Sequence, residues 1–223
     1  FIQDIEGVEF VEALRILAQR AGVTLEYSSN NFAAKDDKAV LYEICETASR
    51  FFEKQLYNSS AGKRALEYLK NRGLTDETMK EFRLGFAPSE WESLSVFLRN
   101  CGYKDGDIVD AGLAIKRTTN DQQPTTDDRG IYDRFRSRIV FPISDLNGQI
   151  VGFTGRVFAE SPEALAKEEG QAKYINTPQT AVYDKGRILY GLHKAKTEIR
   201  REDKCVMVEG NMDALMSYQA GVK

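Results

Sequence analysis

The chain has 223 residues, of which 42% are hydrophobic, 29% charged and 10% aromatic. That composition suits a globular fold and excludes a disordered chain, and no stretch approaches the roughly 18 consecutive apolar residues of a membrane-spanning helix. The net charge of -3 and pI of about 5.5 exclude a uniformly basic nucleic-acid coat, but not a local basic site, because phosphate attraction decays over about one Debye length.

In chain order, Phe10, Leu14, Leu17 and Ala18 recur at helical spacing, with Gly22 as a stop. Residues 28–38, rich in serine, asparagine and charge, read as a linker. Leu41, Ile44, Cys45, Ala48, Phe51, Phe52 and Leu56 form one apolar stripe and predict a helix over 40–57. A second helix is expected over 61–71, closed by Gly73, and a short third over 76–82. Ser89-Glu-Trp-Glu92 reads as a capping box opening a helix through Leu98. A polar loop is expected over 118–130. Residues 138–143 and 149–154 then read as strands joined at Asn147-Gly148, a strong hairpin signal. Residues 159–171 suggest a charged surface segment. The apolar run at 206–208 predicts a buried strand, with a helix from Met212.

The three cysteines (Cys45, Cys101, Cys205) and the single His193 cannot supply a closed zinc site of two ligand pairs. An odd, scattered set with no signal peptide points to a reducing cytosol and three separate thiols. Charge is unevenly spread. Residues 173–201 carry seven basic groups against two acidic ones, while residues 1–60 carry six against ten.

Four constellations could carry chemistry. In Asp133-Arg-Phe-Arg-Ser-Arg138 a strand starting near Asp133 would set Arg134, Arg136 and Arg138 on one face, suited to phosphate. A solvated edge strand with acid partners reads about as well. In Gly152-Phe-Thr-Gly-Arg156 the backbone can approach a partner while Arg156 projects, although a bulge with a surface arginine has equal support. Lys173-Tyr-Ile-Asn-Thr-Pro178 sets a lysine beside an aromatic ring and an amide, able to hold a phosphate and a stacked base. An ordinary extended segment is the plainer reading. In Val206-Met-Val-Glu-Gly-Asn-Met-Asp213 a strand ends in Glu209, glycine turns the chain, and Asp213 lies in the next helix's first turn. Two carboxylates there suit Mg²⁺, which favours oxygen ligands and substrate phosphates. The alternative is a strand-end acid plus a dipole-stabilising aspartate.

Taken in this order, the residues resemble the catalytic core of bacterial DnaG-type DNA primases. The resemblance runs through Gly73-Leu-Thr-Asp-Glu-Thr-Met79, Phe82-Arg-Leu-Gly-Phe-Ala-Pro88, Asp133-Arg-Phe-Arg-Ser-Arg-Ile-Val-Phe-Pro-Ile143, Gly152-Phe-Thr-Gly-Arg156, Lys173-Tyr-Ile-Asn-Thr-Pro178, Lys185-Gly-Arg-Ile-Leu-Tyr-Gly-Leu192 and Val208-Glu-Gly-Asn-Met-Asp213. It implies an α+β / α/β architecture: an N-terminal lobe of helices and a small sheet over 38–190, then the start of a TOPRIM parallel sheet over 191–223. Residues 1–37 would be the tail after the family's zinc-binding domain, where zinc is expected, together with a helix and linker.

The implied activity is synthesis of short RNA primers on single-stranded DNA from ribonucleoside triphosphates, by metal-dependent nucleotidyl transfer in the bacterial cytoplasm. A replicative helicase would join through a C-terminal region beyond Lys223. The resemblance makes Glu209 the catalytic glutamate and sets Asp213 near Mg²⁺ or Mn²⁺. Arg156 and Lys173 become basic groups facing the cleft. Arg134, Arg136, Arg138, Tyr174, Asn176, Lys185 and Arg187 become contacts to nucleotide or nucleic acid. Asn211 stands where the family commonly has tyrosine. Both chain ends are expected to be cuts, and later Asp-x-Asp metal ligands are expected beyond Lys223, so the chain alone is expected to bind nucleic acid weakly and to be inactive. The competing readings are a non-catalytic single-strand-binding module and another TOPRIM enzyme, a nuclease or topoisomerase.

Overall fold

The computed structural model describes residues 17, 18, 21, 32–117, 130–158 and 172–222. The chain divides into two compact units, Phe1–Asp37 and Lys38–Lys223. Most of the helix expected around Phe10 to Ala18, and the segments 118–129 and 159–171, lie outside the described residues.

Helix α1 spans Phe32–Asn58. The expected linker is thus helical from residue 32, because Phe32-Ala-Ala-Lys35 holds good helix formers and no breaker. Further along, Leu41, Ile44, Cys45, Ala48, Phe52 and Leu56 are buried, while Glu46 and Arg50 pair on another face at 2.9 Å. The Ser59 hydroxyl accepts from the Gly62 amide at 2.9 Å and caps α2, Ser60–Asn71. Gly73, at a φ of +92°, takes the left-handed turn that ends this stretch. Thr75 caps α3, Asp76–Glu81.

Strand β1, Gly85–Ala87, crosses directly over α1. A Cβ on Gly85 would lie 2.4 Å from Phe52 Cβ, so only glycine fits there. Helix α4 spans Ser93–Asn100 and α5 spans Asp105–Asp110. The capping box at Ser89 does not form. The Asp133 carboxylate caps α4 from 39 residues away, accepting from the Leu94 amide at 2.7 Å, the Ser95 amide at 2.9 Å and the Ser95 hydroxyl at 2.5 Å. Burial pushes the Asp133 carboxyl above the ordinary carboxylate range, and the three donors oppose that shift.

Strands β2, Ala114–Lys116, and β3, Ile131–Asp133, form an antiparallel pair. The larger sheet contains β1, β4 (Arg138–Ser144), β5 (Ile150–Val157) and β6 (Tyr174–Asn176), in the order β1-β4-β5-β6 and antiparallel throughout. The Asn147-Gly148 hairpin forms as expected. Gly148 has a φ of +84°, and the Asp145 carboxylate accepts from the amides of Asn147 and Gln149, each at 2.9 Å. Both sheet faces are covered. Val140 joins Phe52, Phe135 and Phe153 on one side. Ile139 and Phe141 join Leu69, Met79, Phe82, Met212 and Leu215 on the other.

Helices α6, Leu192–Glu202, and α7, Asn211–Gln219, complete the chain. The strand expected at 206–208 does not form. Its side chains are exposed, Val206 by 65% and Met207 by 75%. A strand needs a hydrogen-bonded neighbour, and among the described residues none pairs with this segment. The parallel sheet anticipated for the second lobe is therefore absent among the described residues.

Candidate functional site

Strand register determines what the sheet presents. Thr154 lies opposite Asn176, and Arg156 opposite Tyr174, while Thr154 and Arg156 also oppose Phe141 and Ile139 on β4. These side chains therefore share the sheet face covered by α2, α3 and α7. Main-chain bonds fix β6 at both ends: the Val157 amide donates to Lys173 O at 3.0 Å, and the Thr177 amide to Phe153 O at 2.9 Å. The Thr177 hydroxyl accepts from the Phe153 amide at 2.9 Å.

An open cavity of about 820 Å³ lies against this face. Lys173, Tyr174 and Asn176 line it with Lys185, Glu209 and Asp213. Lys185 is carried by a turn after buried Tyr183, in which the Gly186 amide donates to the Asp184 carboxylate at 2.9 Å. Asp213 lies in the first turn of α7, where the helix dipole favours a carboxylate. Helix α7 is seated by Met212 and Leu215. It is also clamped at its far end: Gln219 donates to Gly73 O and accepts from the Thr75 amide, both at 2.8 Å, and Tyr218 donates to Glu81 at 2.5 Å. Lys173 and Lys185 are exposed and form no ion pair among the described residues, so their ammonium groups face the opening unneutralised.

The arginines are placed differently. Asp133 ends β3, Ser137 takes a left-handed φ of +49°, and β4 begins at Arg138, so Arg134, Arg136 and Arg138 do not share one strand face. Arg134 donates through Nε to Asn176 O at 3.1 Å and so props β6. Arg136 lies 3.8 Å over the Trp91 ring and donates to Asp133 O. Burial pulls both guanidiniums below their ordinary value. Arg138 is only 4% exposed and donates to Ala172 O at 3.0 Å and Gly155 O at 3.3 Å. Its guanidinium is thus engaged with main-chain carbonyls within the protein. Arg156 sits 5.2 Å over Tyr68 with Nη1 buried and unbonded among the described residues. Arg187 is exposed on the turn after Lys185. None of these five arginines lines the cavity.

Glu209 and Asp213 offer carboxylate oxygens of the kind that would hold a divalent cation such as Mg²⁺. A two-metal centre needs more donors, and the described residues hold no cluster of three or more His, Cys, Asp or Glu. Cys101 and Cys205 are exposed free thiols, and burial pushes the Cys45 thiol up to about 12. Sequence reading missed Asp133 as a cap, Gln219 as a clamp and Thr154 as the neighbour of Asn176. Only the last left a signal, a hydroxyl in the glycine-flanked Phe153-Thr-Gly155.

The family model described as the DNA primase catalytic core, N-terminal domain, matches residues 51–196. The chain belongs to that family. This primase-core chain is 38% identical over 221 residues to the DNA primase of Deinococcus radiodurans, covering 99% of the chain and 34% of the relative. It is 35% identical over 227 residues to that of Geobacillus stearothermophilus, covering 100% and 35%. The chain thus spans about a third of the length of these curated relatives.

Among solved structures, the RNA polymerase domain of Mycobacterium tuberculosis primase DnaG in complex with a double-stranded DNA oligomer with a 6-nucleotide overhang matches with a TM-score of 0.70 at 31% identity, over 82% of this chain and 52% of that one. The DnaG primase catalytic domain bound to ssDNA matches with a TM-score of 0.67 at 32% identity, over 84% and 53%. The zinc-binding and RNA polymerase domains of Aquifex aeolicus primase match over 100% of the primase-core chain and 48% of that one, with a TM-score of 0.68 at 28% identity. Mixed helices with a small antiparallel sheet are therefore the expected lobe of this family. No helix among the described residues is long and apolar enough to cross a membrane.

Proposed function

We propose that this chain supplies the template- and nucleotide-binding lobe of a DNA primase, together with the first carboxylates of its catalytic centre. The observation that carries this reading is that one cavity is lined by Lys173, Tyr174, Asn176 and Lys185 as well as by Glu209 and Asp213. The protein would extend an RNA primer on single-stranded DNA in the bacterial cytoplasm, with a replicative helicase as partner. Support for the template comes from relatives solved with single-stranded or overhanging DNA. Residues 1–37 would be the tail after a zinc-binding domain, 38–190 the N-terminal lobe, and 191–223 the opening of a TOPRIM lobe.

In the reaction, a primer 3′ hydroxyl attacks the α-phosphorus of a ribonucleoside triphosphate and pyrophosphate leaves. Lys173 and Lys185 would offset the phosphate charge, as point-charge donors able to follow it through the transfer. Tyr174, 42% exposed, offers a stacking surface for a base. Asn176 would donate a neutral hydrogen bond. Glu209 and Asp213 would hold Mg²⁺, which supplies polarisation of phosphate oxygens when bound.

The test is Lys173→Ala and Lys185→Ala in the full-length protein, with single-stranded DNA affinity measured across salt. Each lost phosphate contact should reduce the slope of log affinity against log salt by about 0.7. Unchanged slopes and unchanged nucleotide affinity in both variants would contradict the reading. The 223-residue chain alone is expected not to synthesise primers, and synthesis by it would refute the need for further ligands.

A further inference from the structure

Asn176 meets the cavity from an unusually determined position. Its carbonyl accepts from Arg134 Nε at 3.1 Å on one side. The next residue, Thr177, is pinned through both main chain and hydroxyl to Phe153. The backbone is therefore fixed, and the remaining freedom is which end of the side-chain amide faces the opening. Thr154 decides it. Directly opposite Asn176 in the ladder and only 7% exposed, it donates its hydroxyl to Asn176 Oδ1 at 2.7 Å. With the oxygen engaged, Nδ2 is left with both protons, and no hydrogen bond of that nitrogen is made to another described residue.

We infer that Thr154 is a positioning residue that turns the Asn176 amide nitrogen into the cavity, where it receives an acceptor oxygen of a bound nucleotide. The inference rests on the reading of this cavity as the nucleotide site. Thr154 is suited to the task because its branched side chain has few χ1 choices in a strand and because the cross-strand neighbour is the closest side chain available to direct an amide. The amide adds a short, uncharged donor beside two ammonium groups. The acceptor is an oxygen of the triphosphate or of the ribose hydroxyls, and the two sources separate by experiment.

Thr154→Val preserves shape and strand preference but removes the hydroxyl, and Thr154→Ser restores it. Both are made in the full-length protein. Dissociation constants are measured for a ribonucleoside triphosphate, its 2′-deoxy counterpart and inorganic triphosphate, with KM and kcat for primer extension. Thr154→Val should weaken ribonucleotide binding and raise KM by about three- to ten-fold for a ribose hydroxyl acceptor and by about ten-fold or more for a phosphate oxygen, at unchanged kcat and unchanged melting temperature. Thr154→Ser should recover the wild-type constants. Equal weakening for all three ligands identifies a phosphate oxygen, weakening of both nucleotides but not of inorganic triphosphate identifies the 3′ hydroxyl, and weakening confined to the ribonucleotide identifies the 2′ hydroxyl. Unchanged affinity in Thr154→Val, or a serine variant as weak as valine, overturns the inference. Lys185→Ala separates the two levels. If it weakens nucleotide binding while Thr154→Val does not, only the positioning role falls. If neither weakens it, the reading of the cavity falls as well.

Discussion

Replacing Arg138 by methionine separates a stabilising role from a nucleic-acid role. Methionine keeps most of the apolar stem, so the packing beside Gly155 changes little. The guanidinium is lost, and with it donations to Ala172 O at 3.0 Å and Gly155 O at 3.3 Å, in a site only 4% exposed. Hydrogen bonds from a charged donor contribute about 1.5–3 kcal/mol, and the abandoned carbonyls carry their own cost, so the loss should be about 2–4 kcal/mol. That is a large share of the roughly 5–15 kcal/mol stability of a typical domain. With a urea m-value of about 2 kcal/mol/M, the denaturation midpoint should fall by about 1–2 M. The salt slope of single-stranded DNA binding should stay at its wild-type value. An unchanged midpoint with a reduced slope would refute the argument and return Arg138 to the phosphate contacts.

Two further perturbations test the frame around the site. Asp133→Ala removes the long-range cap of α4 and strands the Ser95 hydroxyl, so the urea midpoint should reflect a loss of about 2–3 kcal/mol; a loss within error would mean that α4 is capped otherwise. His193 is held at about 4 by burial and then by Lys194 and Lys196. Because its folded value lies below its unfolded one, the stability it contributes is full above about pH 6.5 and is lost as pH falls toward 4. The melting temperature of the wild type should therefore drop more steeply than that of His193→Gln across that window, and parallel curves would contradict the burial.

Short-range pattern was legible wherever one segment decides its own structure. The stripe from Leu41 to Leu56 predicts the buried face of α1, and Asn147-Gly148 predicts the hairpin, because both signals are complete within a few residues. Where structure depends on a distant partner, the signal fades. Nothing near Ser93 announces that Asp133 will cap it, so the nearer Ser89 looked like the cap. The alternation of Arg134, Arg136 and Arg138 suggested a shared face, but Ser137 turns left-handed and splits the run. The apolar segment at 206–208 looks like a strand because its side chains demand burial, yet a strand exists only with a neighbour to bond. At the site, Lys173, Tyr174, Asn176, Lys185, Glu209 and Asp213 stand in recognisable motifs, but their meeting around one cavity is a property of the fold. Only strand register sets Thr154 opposite Asn176.

The proposed function joins nucleotide recognition to carboxylate-dependent transfer in one cavity. Its most direct measurement is primer synthesis and single-stranded DNA binding by the full-length protein carrying Glu209→Gln. Glutamine keeps the shape of this exposed side chain but removes its charge, so folding and DNA affinity should persist while synthesis collapses. Synthesis at the wild-type rate would remove Glu209 from the reaction and contradict the account.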